Sequence, residues 1–133
     1  MNSIPRRRVL VCDDHSLLRS ILVNAIREVL PNAEIQEAAN GERAEELVRK
    51  NKYDLIFMDV EMPKQNGLDT ISKIRDEKLA EDTPIVVCTG CKGETALVRG
   101  WQLKVDHYIT KPFDLEEIER VIDEIKWRGF SAV

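Results

Sequence analysis

The chain has 133 residues, 43% hydrophobic and 33% charged, with a net charge of −4 at neutral pH. A single domain of this size buries a core without disulfides or structural metal, and the acidic balance excludes a nucleic-acid binder, which needs Lys and Arg clustered over a whole face. No stretch is long and apolar enough to span a membrane. The amino-terminal MNSIPRRRVL has neither a separate apolar segment nor a small-residue cleavage site, so a cytoplasmic protein is expected. Arg6, Arg7 and Arg8 read as a solvated tail leading into the first strand. The cysteines, Cys12, Cys88 and Cys91, read as forming no C-x-x-C pair and have no histidine at metal-ligand spacing, so reduced thiols rather than zinc ligands are expected. Cys12 and Cys88 fall in apolar runs, where a small buried hydrophobe is the default role.

In chain order, RVLVC (8–12) is the first predicted strand. Leu17, Leu18, Ile21, Leu22, Ala25, Ile26, Val29 and Leu30 then recur at helical spacing and predict one wide apolar stripe. AEIQEA (33–38) is the second strand, and Asn40-Gly41 opens the second helix. DLIFMD (54–59) is the third strand, followed by a helix opened by Asn66-Gly67 with Leu68, Ile71 and Ile74 on its inner face. PIVVCT (84–89) is the fourth strand. A fourth helix over about 92–103 has the thinnest apolar face, Leu97, Val98, Trp101 and Leu103, and is expected to be the least stable. DHYIT (106–110) is the fifth strand, and Asp114 with Glu117 forms a capping-box pattern before a helix carrying Leu115, Ile118, Val121, Ile122 and Ile125. Pro63, Pro84 and Pro112 fall between elements or at their edges.

Five β-α units with short connections imply an α/β, doubly wound (βα)5 fold, a five-stranded parallel sheet with helices on both faces. Runs such as LIFM and IVVC suit central strands buried on both sides. No linker interrupts the chain, so residues 1–133 read as one domain with a core of about 8–127. Ligands of such sheets sit beyond the carboxyl ends of the strands, where strand order reverses.

At that edge the first strand ends in Asp13-Asp14, the third in Asp59 and the fourth in Thr89, and the fifth is followed by Lys111. With strand order 2-1-3-4-5, strands 1 and 3 are neighbours about 4.8 Å apart and the three carboxylates converge. Close carboxylates repel unless a cation is present, and hard oxygen donors with open positions suit Mg²⁺. A divalent ion, an ammonium and a hydroxyl around a central carboxylate make a cradle for a phosphoryl group, whose transfer is catalysed mostly by positioning and charge neutralisation.

From about Arg8 to Trp127 the chain resembles the receiver domains of two-component response regulators, through VLVCDDHS, DLIFMDVEMPKQNG with its D-x-x-M-P-x-x-x-G pattern, PIVVCTG and YITKPF. The resemblance implies the CheY-like, flavodoxin-like strand order assumed above. It implies that Asp59 accepts phosphoryl from the phosphohistidine of a sensor histidine kinase or phosphotransfer protein. Asp13, Asp14, Asp59 and the Glu61 backbone carbonyl would hold Mg²⁺, and Lys111 would pair with the phosphoryl oxygens. By the same likeness Thr89 is the switch hydroxyl and Tyr108 the switch aromatic. Together they reshape the face of the fourth helix, fifth strand and fifth helix that a downstream protein or output domain reads, a face through which two copies pair in some relatives. Such a chain is a signalling module, not an enzyme on an outside substrate. It catalyses only its own phosphotransfer and autodephosphorylation.

Two positions beside the site, Glu61 and Cys91, correspond to those that tune aspartyl-phosphate lifetime in relatives. An unchanged dephosphorylation rate in Glu61→Ala would reject that role for Glu61. Lys104 stands where most relatives carry a small-residue stretch with Gly, while Gly100 and Trp101 come earlier, so the connection into the fifth strand departs from the family. His15 reads as a solvated helix-start residue rather than a further ligand, and His107 has no evident phosphotransfer role. A haloacid-dehalogenase-like hydrolase wants Asp-x-Asp after the first strand and a cap insertion, and a flavodoxin-like cofactor binder wants a Ser/Thr/Gly phosphate loop there. The sequence has none of these. A receiver kept only as a scaffold is the remaining alternative, and it is disfavoured because every acid, the Thr and the Lys are present. No output domain is read before the sequence ends at WRGFSAV.

Overall fold

Strands that are apolar along their whole length need cover on both faces, and the sheet meets that need. The structure, a computed structural model, describes residues 6–62, 65–90, 105–111 and 113–125. Its strands are β1 (Arg8–Cys12), β2 (Glu34–Ala38), β3 (Leu55–Asp59), β4 (Ile85–Thr89) and β5 (His107–Thr110), all parallel in the order β2-β1-β3-β4-β5. The helices described are α1 (Ser16–Val29), α2 (Gly41–Lys50), α3 (Gly67–Asp76) and a C-terminal helix, Leu115–Glu124. The predicted helix over 92–103, with Trp101, lies outside the described residues, as do Cys91, Gly100 and Lys104.

Successive residues of a strand point to opposite faces, and here each set meets its own pair of helices. Leu10, Ile56, Met58 and Val87 pack with Leu47 of α2 and with Ile71 and Ile74 of α3. Val9, Val11, Phe57 and Val86 pack on the other side with Leu22 and Ile26 of α1 and with Ile118 and Val121 of the C-terminal helix. β3 and β4 are buried at every position, so each of their Leu, Ile, Phe or Val side chains contributes about 2 kcal/mol of apolar burial.

Three helix starts follow the sequence signals. Asn40 accepts a hydrogen bond from the backbone N–H of Arg43, Asn66 from that of Asp69, and Asp114 from that of Glu117, at 2.8, 2.9 and 2.9 Å. Each cap is worth about 1 kcal/mol. The stripe on α1 needs correction. Leu17 is 64% and Ile21 46% exposed, while Val23, absent from the predicted stripe, is buried. At about 100° per residue, Leu17 and Ile21 stand on the side of the helix turned away from the buried Leu22, Val23 and Ile26. Arg8 is also more than a solvated tail residue: it belongs to β1, its guanidinium lies 5.5 Å from the Tyr53 ring centroid, and it donates to Asn51.

The turn after β3 leaves no room for a side chain at its far end. The Gly67 N–H donates to the Val60 carbonyl at 2.9 Å, and a Cβ on Gly67 would stand 2.0 Å from the Asp59 carbonyl oxygen. Gly67→Ala must therefore push the end of β3 away from α3. The expected cost is about 2–3 kcal/mol, read as a lower urea midpoint with an unchanged slope.

Candidate functional site

The strand ends bring the predicted residues together. The β1–β3 ladder stops at Cys12 opposite Met58, and the β3–β4 ladder at Asp59 opposite Cys88, so Asp13 and Asp59 leave neighbouring strands at one level. Asp13 is 2% and Asp59 3% exposed, while Asp14 faces solvent. Carboxylate oxygens of Asp13, Asp14 and Asp59 lie within 4.8 Å of one another, an all-oxygen donor set spaced to share one ion. That set fits Mg²⁺, whose hard-oxygen preference and retained waters need a few carboxylates with open positions.

Lys111 bridges the two buried acids. Its Nζ lies 3.1 Å from Asp13 Oδ2 and 3.1 Å from Asp59 Oδ1. Its backbone N–H donates to the Thr89 carbonyl at 2.8 Å, which ties the residue after β5 to the end of β4. Burial pushes the Asp59 carboxyl up to about 6, with the Asp13 charge adding to it, although the Lys111 ammonium and the nearby Glu61 backbone N–H pull the other way. Burial alone would pull the Lys111 ammonium down, but its hydrogen bonds to Asp13 and Asp59 outweigh this and hold it above the usual lysine range.

Thr89 is buried at the last position of β4, and Tyr108, opposite Val87 on β5, packs partly buried against the α2–α3 side of the sheet. Glu61 is exposed, with its carboxylate beside Gly90. His15 is the N-cap of α1, its Nδ1 accepting from Leu18 N–H at 3.5 Å, and it is not among the clustered acids. The Nδ1 of His107 lies 3.7 Å from Glu124 Oε1 of the C-terminal helix.

Two features escaped the reading of the sequence. The expectation that the cysteines form no C-x-x-C pair is wrong, because Cys88 and Cys91 stand at that spacing. Cys91 lies outside the described residues, and the buried thiol of Cys88 is pushed up to about 12, which keeps it a packing group. Arg19, on α1, reaches the main chain of Asp13. An arginine four residues into a helix offers no sequence signal for such a contact.

The family model described as response regulator receiver domain matches residues 9–123, and the chain belongs to that family. Over 123 residues it is 32% identical to a chemotaxis protein CheY homolog of Campylobacter jejuni, covering 92% of this chain and 94% of the relative. It superposes on chemotaxis protein CheY4 of Vibrio cholerae with a TM-score of 0.83, at 23% identity over 92% of this chain and 100% of that one. A response regulator from Burkholderia pseudomallei, solved with a phosphorylated aspartic acid, a calcium ion and citrate, is 26% identical with a TM-score of 0.75. That match covers 84% of this chain and 64% of that one.

Proposed function

We propose that the chain is a phosphorylation-activated receiver in which Asp59 accepts a phosphoryl group from the phosphohistidine of a kinase or phosphotransfer protein. The observation that carries this reading is the Lys111 ammonium 3.1 Å from both buried carboxylates, with a third carboxylate completing an ion-sized cluster. Asp13, Asp14, Asp59 and the Glu61 carbonyl would hold Mg²⁺. When bound, the ion neutralises the crowded carboxylates and the charge that develops on the phosphoryl oxygens.

The residues divide the work. An Asp59 oxygen attacks phosphorus as the P–N bond to the donor imidazole breaks, and the electron pair of that bond stays on the imidazole nitrogen. A short, fully buried strand holds the carboxylate in line for this. Lys111 exchanges its contact with Asp59 for the phosphoryl oxygens. Thr89 then turns its hydroxyl to the new acceptors, and Tyr108 follows into the space vacated, a shift between two packings of β5. β5 and the C-terminal helix would be part of the face that a partner or output domain reads. Incubation with acetyl phosphate and MgCl₂ should add one phosphoryl group to the intact mass. A mass unchanged with and without the metal would reject the reading.

Nucleophilic attack needs the ionised carboxylate. Because Asp59 titrates near 6 in the metal-free protein, the initial phosphorylation rate at limiting MgCl₂ should fall about tenfold per pH unit below that point. Metal binding favours the carboxylate, so rising MgCl₂ should move this acid limb to lower pH. A limb indifferent to MgCl₂ would contradict the assignment.

Among the described residues the exposed large hydrophobics are Leu17, Ile21 and Leu115, near the amino-terminal ends of α1 and of the C-terminal helix. Leu17 and Ile21 lie one turn apart on one face. We place the docking of the phosphohistidine donor on this rim. Leu17→Asp should slow transfer from a phosphorylated donor protein about tenfold while leaving acetyl phosphate labelling unchanged. Equal slowing of both would move the donor elsewhere.

A further inference from the structure

We infer that Arg19 is a positioning residue for the metal-binding carboxylates, acting through the main chain of Asp13. The inference rests on the reading of Asp13 as a metal ligand. Asp13 sits just past the ladder that joins β1 to β3, so no strand neighbour on that side takes its carbonyl. Arg19 Nη1 donates to that carbonyl at 2.7 Å, and its Nε donates to Glu37 Oε1 of β2 at 2.8 Å. One guanidinium fork thus clamps the end of β1, the end of β2 and the second turn of α1 into one unit.

The other polar groups of Asp13 are also engaged. Its N–H donates to the Ala38 carbonyl at 3.1 Å, Oδ1 accepts from the His15 N–H at 2.8 Å, and Oδ2 accepts from Lys111 at 3.1 Å. Lys111 must turn toward the phosphoryl group when the site works, and Oδ1 or Oδ2 must turn toward the metal. The Ala38 and Arg19 contacts are made to the backbone, so they persist through both changes. Arg19 is the side chain that holds the Asp13 peptide unit while its carboxylate is in use.

Charge and geometry predict opposite signs for its removal. A cation near the site repels Mg²⁺, so if charge alone mattered, losing Arg19 would tighten metal binding. Glu37 already offsets that charge at 2.8 Å. Freeing the Asp13 peptide instead loosens a ligand, and partners that orient metal ligands typically matter about tenfold or more for affinity.

Isothermal titration of the full chain with MgCl₂ in the absence of phosphodonor tests this, with Arg19→Ala and Arg19→Lys. Arg19→Ala should raise the Mg²⁺ Kd about tenfold, and Arg19→Lys, which keeps the charge but cannot span both acceptors, about threefold. The ¹H–¹⁵N signals of Asp13 and His15 in the metal-free protein should shift in both. A Kd within about twofold of the unaltered chain in each folded variant, or a lower one, overturns the inference. If Arg19→Ala does not fold, Arg19→Lys decides by the same criterion. Absence of Mg²⁺ binding by the unaltered chain would instead overturn the reading of the acidic site, and this inference with it.

Discussion

Asp59→Asn is expected to abolish phosphoryl incorporation and, in metal-free buffer at pH 7, to make the protein more stable. The amide has the shape of the carboxyl but neither its nucleophilicity nor its charge. Burial holds the Asp59 carboxyl near 6, above the ordinary 3.8. The folded protein therefore binds this proton more tightly than the unfolded chain does. The neutral form is favoured on folding, and stability is lost as pH rises from about 4 through 6. Asparagine removes that loss. The gain at pH 7 should be about 2 kcal/mol, shrinking toward zero below about pH 3, where the carboxyl is protonated in both states. Urea denaturation of both proteins across this range checks it, and a less stable variant at pH 7 would show that Asp59 is not held against its charge.

Lys111→Met should have the opposite effect and a larger one. The ammonium is the shared counter-charge of two carboxylates that are nearly inaccessible to water. Breaking a buried ion pair by deleting one partner leaves uncompensated charge and costs about 3–5 kcal/mol. The loss should be greatest at pH 7 and above. It should narrow as the solution is acidified, because without the ammonium Asp59 holds its proton still more tightly. Added MgCl₂ should restore part of the stability, since a divalent ion and the ammonium neutralise the same acids. Phosphorylation by acetyl phosphate should slow even where the protein is fully folded. A variant as stable as the parent at pH 7 in chelator would mean that Lys111 is not the charge holding this site together.

Strand positions were legible because LIFM and IVVC carry no polar residue that would let either face meet water, and Asn40, Asn66 and Asp114 marked helix starts by a local hydrogen bond that needs nothing from the rest of the fold. The acids at the ends of β1 and β3 were legible once those strands were neighbours. The stripe on α1 is too wide because apolar residues at mixed spacings span more of the helix circumference than the sheet covers. Leu17 and Ile21 lie around the helix from buried Leu22 and Ile26, on its solvent side. The contacts of Arg19 with Asp13 and of His107 with Glu124 were invisible for a different reason. They join separate elements, and long flexible or exposed side chains leave no periodic trace of where they end. Gly67 read as a helix opener, yet the approach of the Asp59 carbonyl that excludes a side chain there depends on the path of the turn.

That Asp59 is the one phosphoryl acceptor is the central proposal. Its most direct test is borohydride trapping of acetyl phosphate-treated protein followed by peptide mass spectrometry, with and without chelator. Reduction of the acyl phosphate at Asp59 to homoserine, present with MgCl₂ and lost with chelator, is the predicted result. Reduction at Asp13 or at Asp14, or reduction at Asp59 that survives chelation, would contradict it.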